Sequence, residues 1–287
     1  VVVLVRRLGA VVLGLGVVGL GACSGAFGAA PAPDAGSTPS PDALAPITPP
    51  LDGGSGDAAT VLDAATNDAA PASSPCTSQQ LFCDDFEGSG GPAARWDDMR
   101  TGAGSFDFDT TTFVSGARSL RLRVAAGAGE RSSDLRKVIA IPGPNARVTF
   151  HLRVDIPMQG SFKEISNLFV EPEPYPAGVA FQTFAVVIFD TGPHYETFRA
   201  FQDGGSSFGA TPIPGAQQGR FVRGEIDLRY SGGTLTSVLR ADGTIVATGS
   251  MVTPQPNRIV LRIGAPYSFN AQIEPVVRFD DVFVEAL

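Results

Sequence analysis

From residue 119 to the C-terminus, polar and apolar residues alternate with a period of two. Ser119-Leu-Arg-Leu-Arg-Val124, Arg147-Val-Thr-Phe-His-Leu-Arg-Val154 and Phe221-Val-Arg-Gly-Glu-Ile-Asp-Leu-Arg-Tyr230 carry the pattern over a full strand length. Thr234–Arg240, Thr244–Thr248 and Arg258–Ile263 continue it, and Val276–Val284 closes the chain. Successive side chains of a strand point to opposite faces, so each segment predicts a half-buried antiparallel strand. Phe181–Phe189 is more continuously apolar and predicts a strand in the interior of a sheet. Breaks at Pro142–Asn145, Asp203–Gly205, Ser231–Gly233 and Asp242-Gly243 separate the segments, and the last is a tight hairpin signal. No window holds helical spacing, and 34 Gly with 23 Pro exceed what helices tolerate. The economical fold is an all-β sandwich of two antiparallel sheets.

The first 75 residues are of another kind. Arg6 and Arg7 precede Leu8–Ala22, an apolar run of 15 residues that ends at Cys23. A basic start, a short apolar stretch and small residues before the break make a secretory signal. The run is too short and too rich in Gly for a spanning helix, which needs roughly 20 apolar residues. Leu20-Gly-Ala-Cys23 resembles the lipobox of bacterial lipoproteins. That resemblance implies a signal peptide over 1–22, acylation of Cys23 and a membrane partner through the lipid. It also implies a place in the cell envelope, with Ser24 consistent with the outer membrane. Two or more acyl chains give a stable anchor where one is marginal.

Ala, Pro, Ser, Gly, Thr and Asp dominate residues 24–75, with six Asp and no Lys or Arg. Such a segment cannot bury enough apolar surface to offset its chain entropy, so residues 23–75 read as a lipidated Cys followed by a disordered tether. A flexible chain of that length spans roughly 40 Å. Residues 76–287 are then the one globular unit. The chain has 21 Lys+Arg against 29 Asp+Glu, a net charge of −8 and a pI near 4.8. Nucleic acid needs a basic surface and is excluded as a partner. Two His and three Cys make a zinc motif of four such ligands untenable.

Phe82-Cys-Asp-Asp-Phe-Glu87, Trp96, Ser115-Gly116, Ser119-Leu120, Arg240-Ala-Asp-Gly243 and Phe279-Asp-Asp-Val-Phe-Val284 occur in this order. The arrangement resembles the concanavalin A-like lectin and glucanase jelly rolls, in particular laminin-G-like domains of surface lipoproteins. The resemblance implies a two-sheet antiparallel jelly roll over 76–287, with the first and last strands adjacent. Trp96 is the one Trp in the chain, so the Trp usual before the Phe221–Tyr230 strand is absent.

Cys76 and Cys83 remain as an even pair once Cys23 is acylated. Outside the cytoplasm such a pair suggests a disulfide, with two free thiols the alternative.

Three constellations could carry chemistry. Glu225-Ile-Asp227-Leu-Arg229 resembles half of a glucanase signature, with its charged residues on one strand face. Position 229 is Arg and position 230 is Tyr, so the second carboxylate that glycoside hydrolysis needs is missing, and a polar strand face is expected instead. Arg131-Ser-Ser-Asp134-Leu-Arg136 resembles a strand of jelly-roll alginate lyases, but without the matching His and Tyr strands a charged strand is expected. Asp84 and Asp85, near the start of the domain, and Asp280 and Asp281, near its end, lie beside Phe residues. Asp84 is expected to share a face with Phe82 and Phe86, and Asp281 with Phe279 and Phe283. Such acids need internal donors or a cation, and related jelly rolls hold structural calcium where the terminal strands meet.

Sugar platforms use exposed aromatic rings. Tyr175, Tyr195 and Tyr267 stand near loop signals and are the candidate glycan contacts, together with Glu225, Asp227 and Arg229. The expected function is a non-catalytic module on an envelope lipoprotein that binds glycan or protein. A polysaccharide-cleaving glucanase or lyase of the same fold and a ligand-free structural component are the alternatives.

Replacing the acylated thiol tests the anchor. Cys23→Ser should move the protein from the detergent phase to the aqueous phase, or leave an uncleaved precursor. Equal phase partitioning of wild type and variant would remove the anchor.

Overall fold

The computed structural model describes residues 75–156, 164–189, 192–213 and 219–287. The signal, Cys23 and the tether up to residue 74 lie outside the described residues. Among the described residues there are fifteen strands and no helix. They are β1 (Phe82–Asp84), β2 (Asp98–Thr101), β3 (Gly104–Asp109), β4 (Ser119–Val124), β5 (Gly127–Ala140), β6 (Asn145–Asp155), β7 (Glu164–Glu173) and β8 (Val179–Phe189). There follow β9 (Gly192–Phe201), β10 (Ser206–Pro212), β11 (Val222–Ser231), β12 (Thr234–Ala241), β13 (Thr244–Val252), β14 (Arg258–Ala271) and β15 (Val276–Ala286).

All pairings are antiparallel and form two sheets. One runs β13-β12-β11-β6-β15-β4-β3, with β1 also paired to β15. The other runs β10-β9-β8-β7-β14-β5-β2. The two sheets make a jelly-roll sandwich. The chain turns back at the expected hairpins, where Gly232, Gly233, Asp242 and Gly243 all have positive φ. Two such residues in a row match the right-handed twist of the flanking strands.

The inner faces make one core. Leu120, Leu122, Val148, Phe150, Ile226, Leu228 and Phe279 project from the first sheet, and Leu135, Leu168, Phe184, Ile259, Leu261 and Ile263 from the second. Trp96 joins this core edge-on to Phe82, with ring centroids 5.1 Å apart.

As the family resemblance implies, the first and last strands are neighbours, with Phe82 opposite Val284 and Asp84 opposite Val282. Cys83, in the middle of β1 and opposite Phe283, forms a disulfide with Cys76. The closed loop is short, so chain entropy gives a stabilisation of about 2.5 kcal/mol.

One expectation is corrected here. Asp281 does not share a face with both Phe279 and Phe283. The β15–β6 register shifts between Asp280 and Phe283, and Asp281 takes φ 49°. This bulge adds a residue, so Phe279 is fully buried while Phe283 lies half-buried on the opposite side.

Gly224 of β11 lies opposite Phe150 of β6. A Cβ at 224 would stand 2.3 Å from Cζ of that ring, which is 3% exposed and walled in by the core. Gly224→Ala should therefore lower stability by about 1–3 kcal/mol. An unchanged urea midpoint would show that the ring can move aside.

Candidate functional site

The two outer faces of the sandwich differ in character. On the outer face of the first sheet, Glu225, Asp227 and Arg229 alternate with the buried Ile226 and Leu228. Asp227 accepts from Arg147 Nε at 2.5 Å and from Arg240 Nη1 at 2.6 Å, with Arg229 Nη2 at 3.9 Å. Burial works against its charge, yet these guanidinium groups hold its carboxyl below the usual range. Glu225 Oε1 pairs with Arg223 Nη2 at 2.6 Å. The glucanase-like strand is thus a lattice of acids and arginines.

The four Asp near the chain ends are engaged internally. Asp84 accepts from the Phe86 amide at 3.0 Å and from Trp96 Nε1 at 2.8 Å. Asp85 accepts from the Glu87 amide at 3.3 Å. Asp280 accepts from the amides of Val114, Ser115 and Asp281 at 2.7, 3.2 and 3.0 Å. Asp281 takes the Ser115 hydroxyl at 2.6 Å and faces His151 Nδ1 at 3.3 Å. Calcium takes six to eight oxygen ligands from carboxylates, carbonyls and water. Here N–H and O–H donors meet the carboxylates of all four acids, and among the described residues no three His, Cys, Asp or Glu side chains are grouped to hold a metal ion.

The outer face of the second sheet is built differently. Its inward residues are Leu135 and Ile139 on β5, Leu261 and Ile263 on β14, Leu168 and Val170 on β7, and Phe184 and Val186 on β8. Alternation then sends Asp134, Arg136, Arg262, Phe169, Glu171, Thr183 and Ala185 outward. Cross-strand pairing sets Arg136, Arg262, Phe169, Ala185 and Glu196 in one row across five strands.

The middle of this face is sunken. Asp134 is 0%, Glu171 3%, Glu196 5% and Arg262 8% exposed, although none of them points into the core. Neighbouring side chains must cover them. Arg262 Nε lies 2.7 Å from Glu171 Oε1, and its Nη1 lies 3.6 Å from Asp134 Oδ2. Burial raises both carboxyls, and the guanidinium between them pulls both back.

A second acidic group lies toward one end. Burial raises Glu164 to about 7, with help from the charge of Glu130, and raises Glu196 to about 8, with help from Glu164. The Tyr267 phenol is pushed up by burial and by the same two acids, Glu164 and Glu130. The registers of β14 with both neighbours and of β7 with β8 shift beside these residues. Such bulges re-aim side chains, and they cluster near binding sites.

Beside the acids stands a row of half-buried rings. The centroids of Phe169 and Phe181 are 6.2 Å apart, those of Phe181 and Phe198 6.1 Å, and those of Tyr175 and Phe181 6.4 Å. Phe208, 60% exposed on the edge strand β10, is the cross-strand partner of Phe198.

The sequence candidates divide accordingly. Tyr175 lies in the β7–β8 loop, and its hydroxyl donates to Glu171 Oε2 at 3.4 Å. Tyr267 is on the outer face, but inside β14 rather than on a loop. Tyr195 is corrected: it lies within β9 and points between the sheets, its ring stacked on Phe184 at 6.3 Å. The lyase-like stretch also divides. Asp134 and Arg136 face the sunken floor, whereas Arg131 turns back to the carbonyls of Ala125 and Ala126. Glu164, Glu171, Glu196, Arg262, Phe169, Phe181 and Phe198 were not singled out from the sequence. Their signal is a charged or aromatic residue between two core residues, as Arg262 stands between Leu261 and Ile263.

No protein-family model and no curated protein matches this sequence. Similar solved structures include a cellulose-induced protein, 17% identical with TM-score 0.49 over 72% of this chain and 97% of that one. An endo-1,3-beta-glucanase from Streptomyces sioyaensis is 13% identical with TM-score 0.43, over 74% and 99% of the two chains. An alginate lyase from Chlorella virus is 12% identical with TM-score 0.43, over 68% and 93%.

The raised carboxyls make stability depend on pH. Glu164, Glu196 and Asp280, the last pushed to about 7 by burial and by Asp281, hold protons that the unfolded chain has already lost. Stability should be greatest near the ordinary Glu range and fall as pH rises toward 7–8. Urea midpoints should be lower at pH 8 than at pH 5, and Glu196→Gln should narrow the gap. An equal gap in the variant would show that Glu196 is already charged at neutral pH.

Proposed function

We propose that this protein is a lipid-anchored envelope protein whose jelly-roll domain binds polysaccharide across the outer face of the β10-β9-β8-β7-β14-β5-β2 sheet. The row Tyr175, Phe181, Phe169 and Phe198, running on to Phe208, carries the reading. Sugar rings offer apolar C–H faces that stack on aromatic rings, and their hydroxyls need fixed polar partners. Both lie on one face, since Arg262, Glu171, Asp134 and Arg136 flank the rings. The lipid at Cys23 and the long acidic tether would hold this face away from the membrane.

Affinity electrophoresis against β-glucans, galactans and alginate tests the reading. At least one polysaccharide should retard the protein, and Phe198→Ala with Phe208→Ala should weaken it about tenfold, or 1.4 kcal/mol. Absence of retardation by every polysaccharide would reject glycan binding.

Cleavage is the second reading, and Glu196 favours it. Its Oε1 is buried without a hydrogen-bond partner, and a carboxyl raised to about 8 carries a proton at neutral pH. Such a group can act as a general acid. Release of reducing ends or unsaturated uronate from the same panel, abolished by Glu196→Gln, would replace binding with catalysis.

A further inference from the structure

Most acids on the outer face of the second sheet have an arginine of their own. Asp98 pairs with Arg100 at 3.7 Å, Glu173 with Arg258 at 2.6 Å, and Asp134 and Glu171 share Arg262. Three carboxyls at one end differ. Those of Glu130, Glu164 and Glu196 have neither an ion pair nor a hydrogen bond among the described residues.

The strand register sets these acids among rings. Ile165 packs in the core, so Glu164 and Ser166 point outward. Phe269 of β14 stands opposite Glu164 on one side and Glu130 on the other. Strands lie about 4.8 Å apart, so the two acids flank Phe269 at backbone positions about 10 Å from each other. Tyr267 stands opposite Ser166, and Phe189 of β8 stands opposite Glu164. The charge of Glu164 reaches Glu196 and, with that of Glu130, reaches Tyr267. Glu130, Glu164, Tyr267 and Phe269 are half-buried and meet solvent. On the same face Glu196 is 5% and Ser166 1% exposed, and Glu196 Oε1 and Ser166 Oγ have no hydrogen-bond partner.

We infer that this end of the face binds a protonated amine carried on a sugar ring, so that its ligand is a polysaccharide with free amino groups, a polymer of glucosamine or galactosamine units. The inference rests on the outer-face reading given above and names its substrate class. Unpaired acids lying close together lack a cation, and an ammonium group gains here both from carboxylates and from ring faces. A metal ion fits less well, since among the described residues no three acids are grouped to hold one. A uronate would bring a further negative charge to a place that already repels it. A sugar ring adds C–H faces for Tyr267 and Phe269, which a simple amine lacks. Burial raises Glu196 to about 8, and the proton it holds passes to the buffer as the ammonium takes its place.

Titration calorimetry on the full chain at physiological salt compares a glucosamine trimer with its N-acetylated form, a glucuronate trimer and 1,4-diaminobutane. The free-amine trimer should bind about tenfold more tightly than each of the others. Glu164→Gln and Glu196→Gln should each weaken it about tenfold, and the double variant should lose the preference for the free amine. Asp107→Asn, which removes a charge from the other sheet, should keep that preference. Thermal midpoints of the Glu variants should equal or exceed that of the wild type, because each loses an unpaired acid. Midpoints that fall together with affinity would make these acids structural and overturn the inference. Equal binding of the free-amine and acetylated trimers, equal binding of the diamine or the uronate, or an undiminished preference in the double variant would also overturn it, and would leave the outer-face reading in place. Failure of every trimer together with absence of polysaccharide retardation would instead reject that reading, and the amine site with it.

Discussion

The last strand holds both ends of the domain together. β15 pairs with β6 along one side, and with β4 and then β1 along the other. The change of partner needs the extra residue at Asp281, whose positive φ is uncommon for any residue but Gly, Asn or Asp. The acids at the bulge are kept by what they bind. Asp280 gathers three backbone amides, two of them from the segment leading into β4, and Asp281 gathers the Ser115 hydroxyl. Asp84 of β1 then anchors Trp96 over the end of the core. Without the bulge, β1 would lose its place beside β15, and Phe82, Phe86 and Trp96 would lose their lid position.

The two outer faces show how one alternating pattern serves two ends. On the β11 side each acid meets an arginine, as Asp227 meets Arg147 and Arg240. The acids are buried and their guanidinium partners partly in water, so each buried charge on this face is already matched. On the β14 side Arg262 serves both Asp134 and Glu171, while burial raises Glu164 with help from Glu130 and Glu196 with help from Glu164. That face pays in desolvation for polar groups held ready, and the aromatic row beside them supplies contact area. Fixed polar groups next to apolar rings are the ordinary make-up of a recognition surface.

Tyr195 and Phe184 divide the interior. Beside their stacked rings the strands β9, β12 and β13 place Thr197, Ser237 and Gly249 among core residues such as Leu235, Leu239 and Met251. A Cβ at Gly249 would stand 2.6 Å from Thr197 Cγ2 on the facing sheet, so glycine there lets the two sheets approach closely at that edge.

Much of this fold is legible in the sequence. Strands whose inner and outer residues alternate cleanly, such as Ser119–Val124, stand where the pattern puts them. The Gly and Asp hairpins do too, because positive φ restricts the residue types that can sit there. The Cys76–Cys83 pair was equally readable. The sequence reading does not place β2, β3, β7, β9, β10 or the second half of β14; in β7 and β14 bulges at Ser166–Leu168 and Ala265–Ser268 break the period of two. The site was less legible for a different reason. Alternation assigns a side chain to the inside or the outside of its strand, but not to one outer face or the other. Glu225–Arg229 and Asp134–Arg136 read alike as charged strands. The crossovers place the first on the outer face of one sheet, paired to its own arginines, and the second on the outer face of the other, beside Arg262. Tyr195 turned inward because its strand's parity, not its nearness to a loop, decides its side. The local pattern therefore determined the cleanly alternating strands, the turns and the disulfide. Only the assembly of non-local strands brought Arg262 between Asp134 and Glu171 and aligned the rings, because those contacts join residues far apart in the chain.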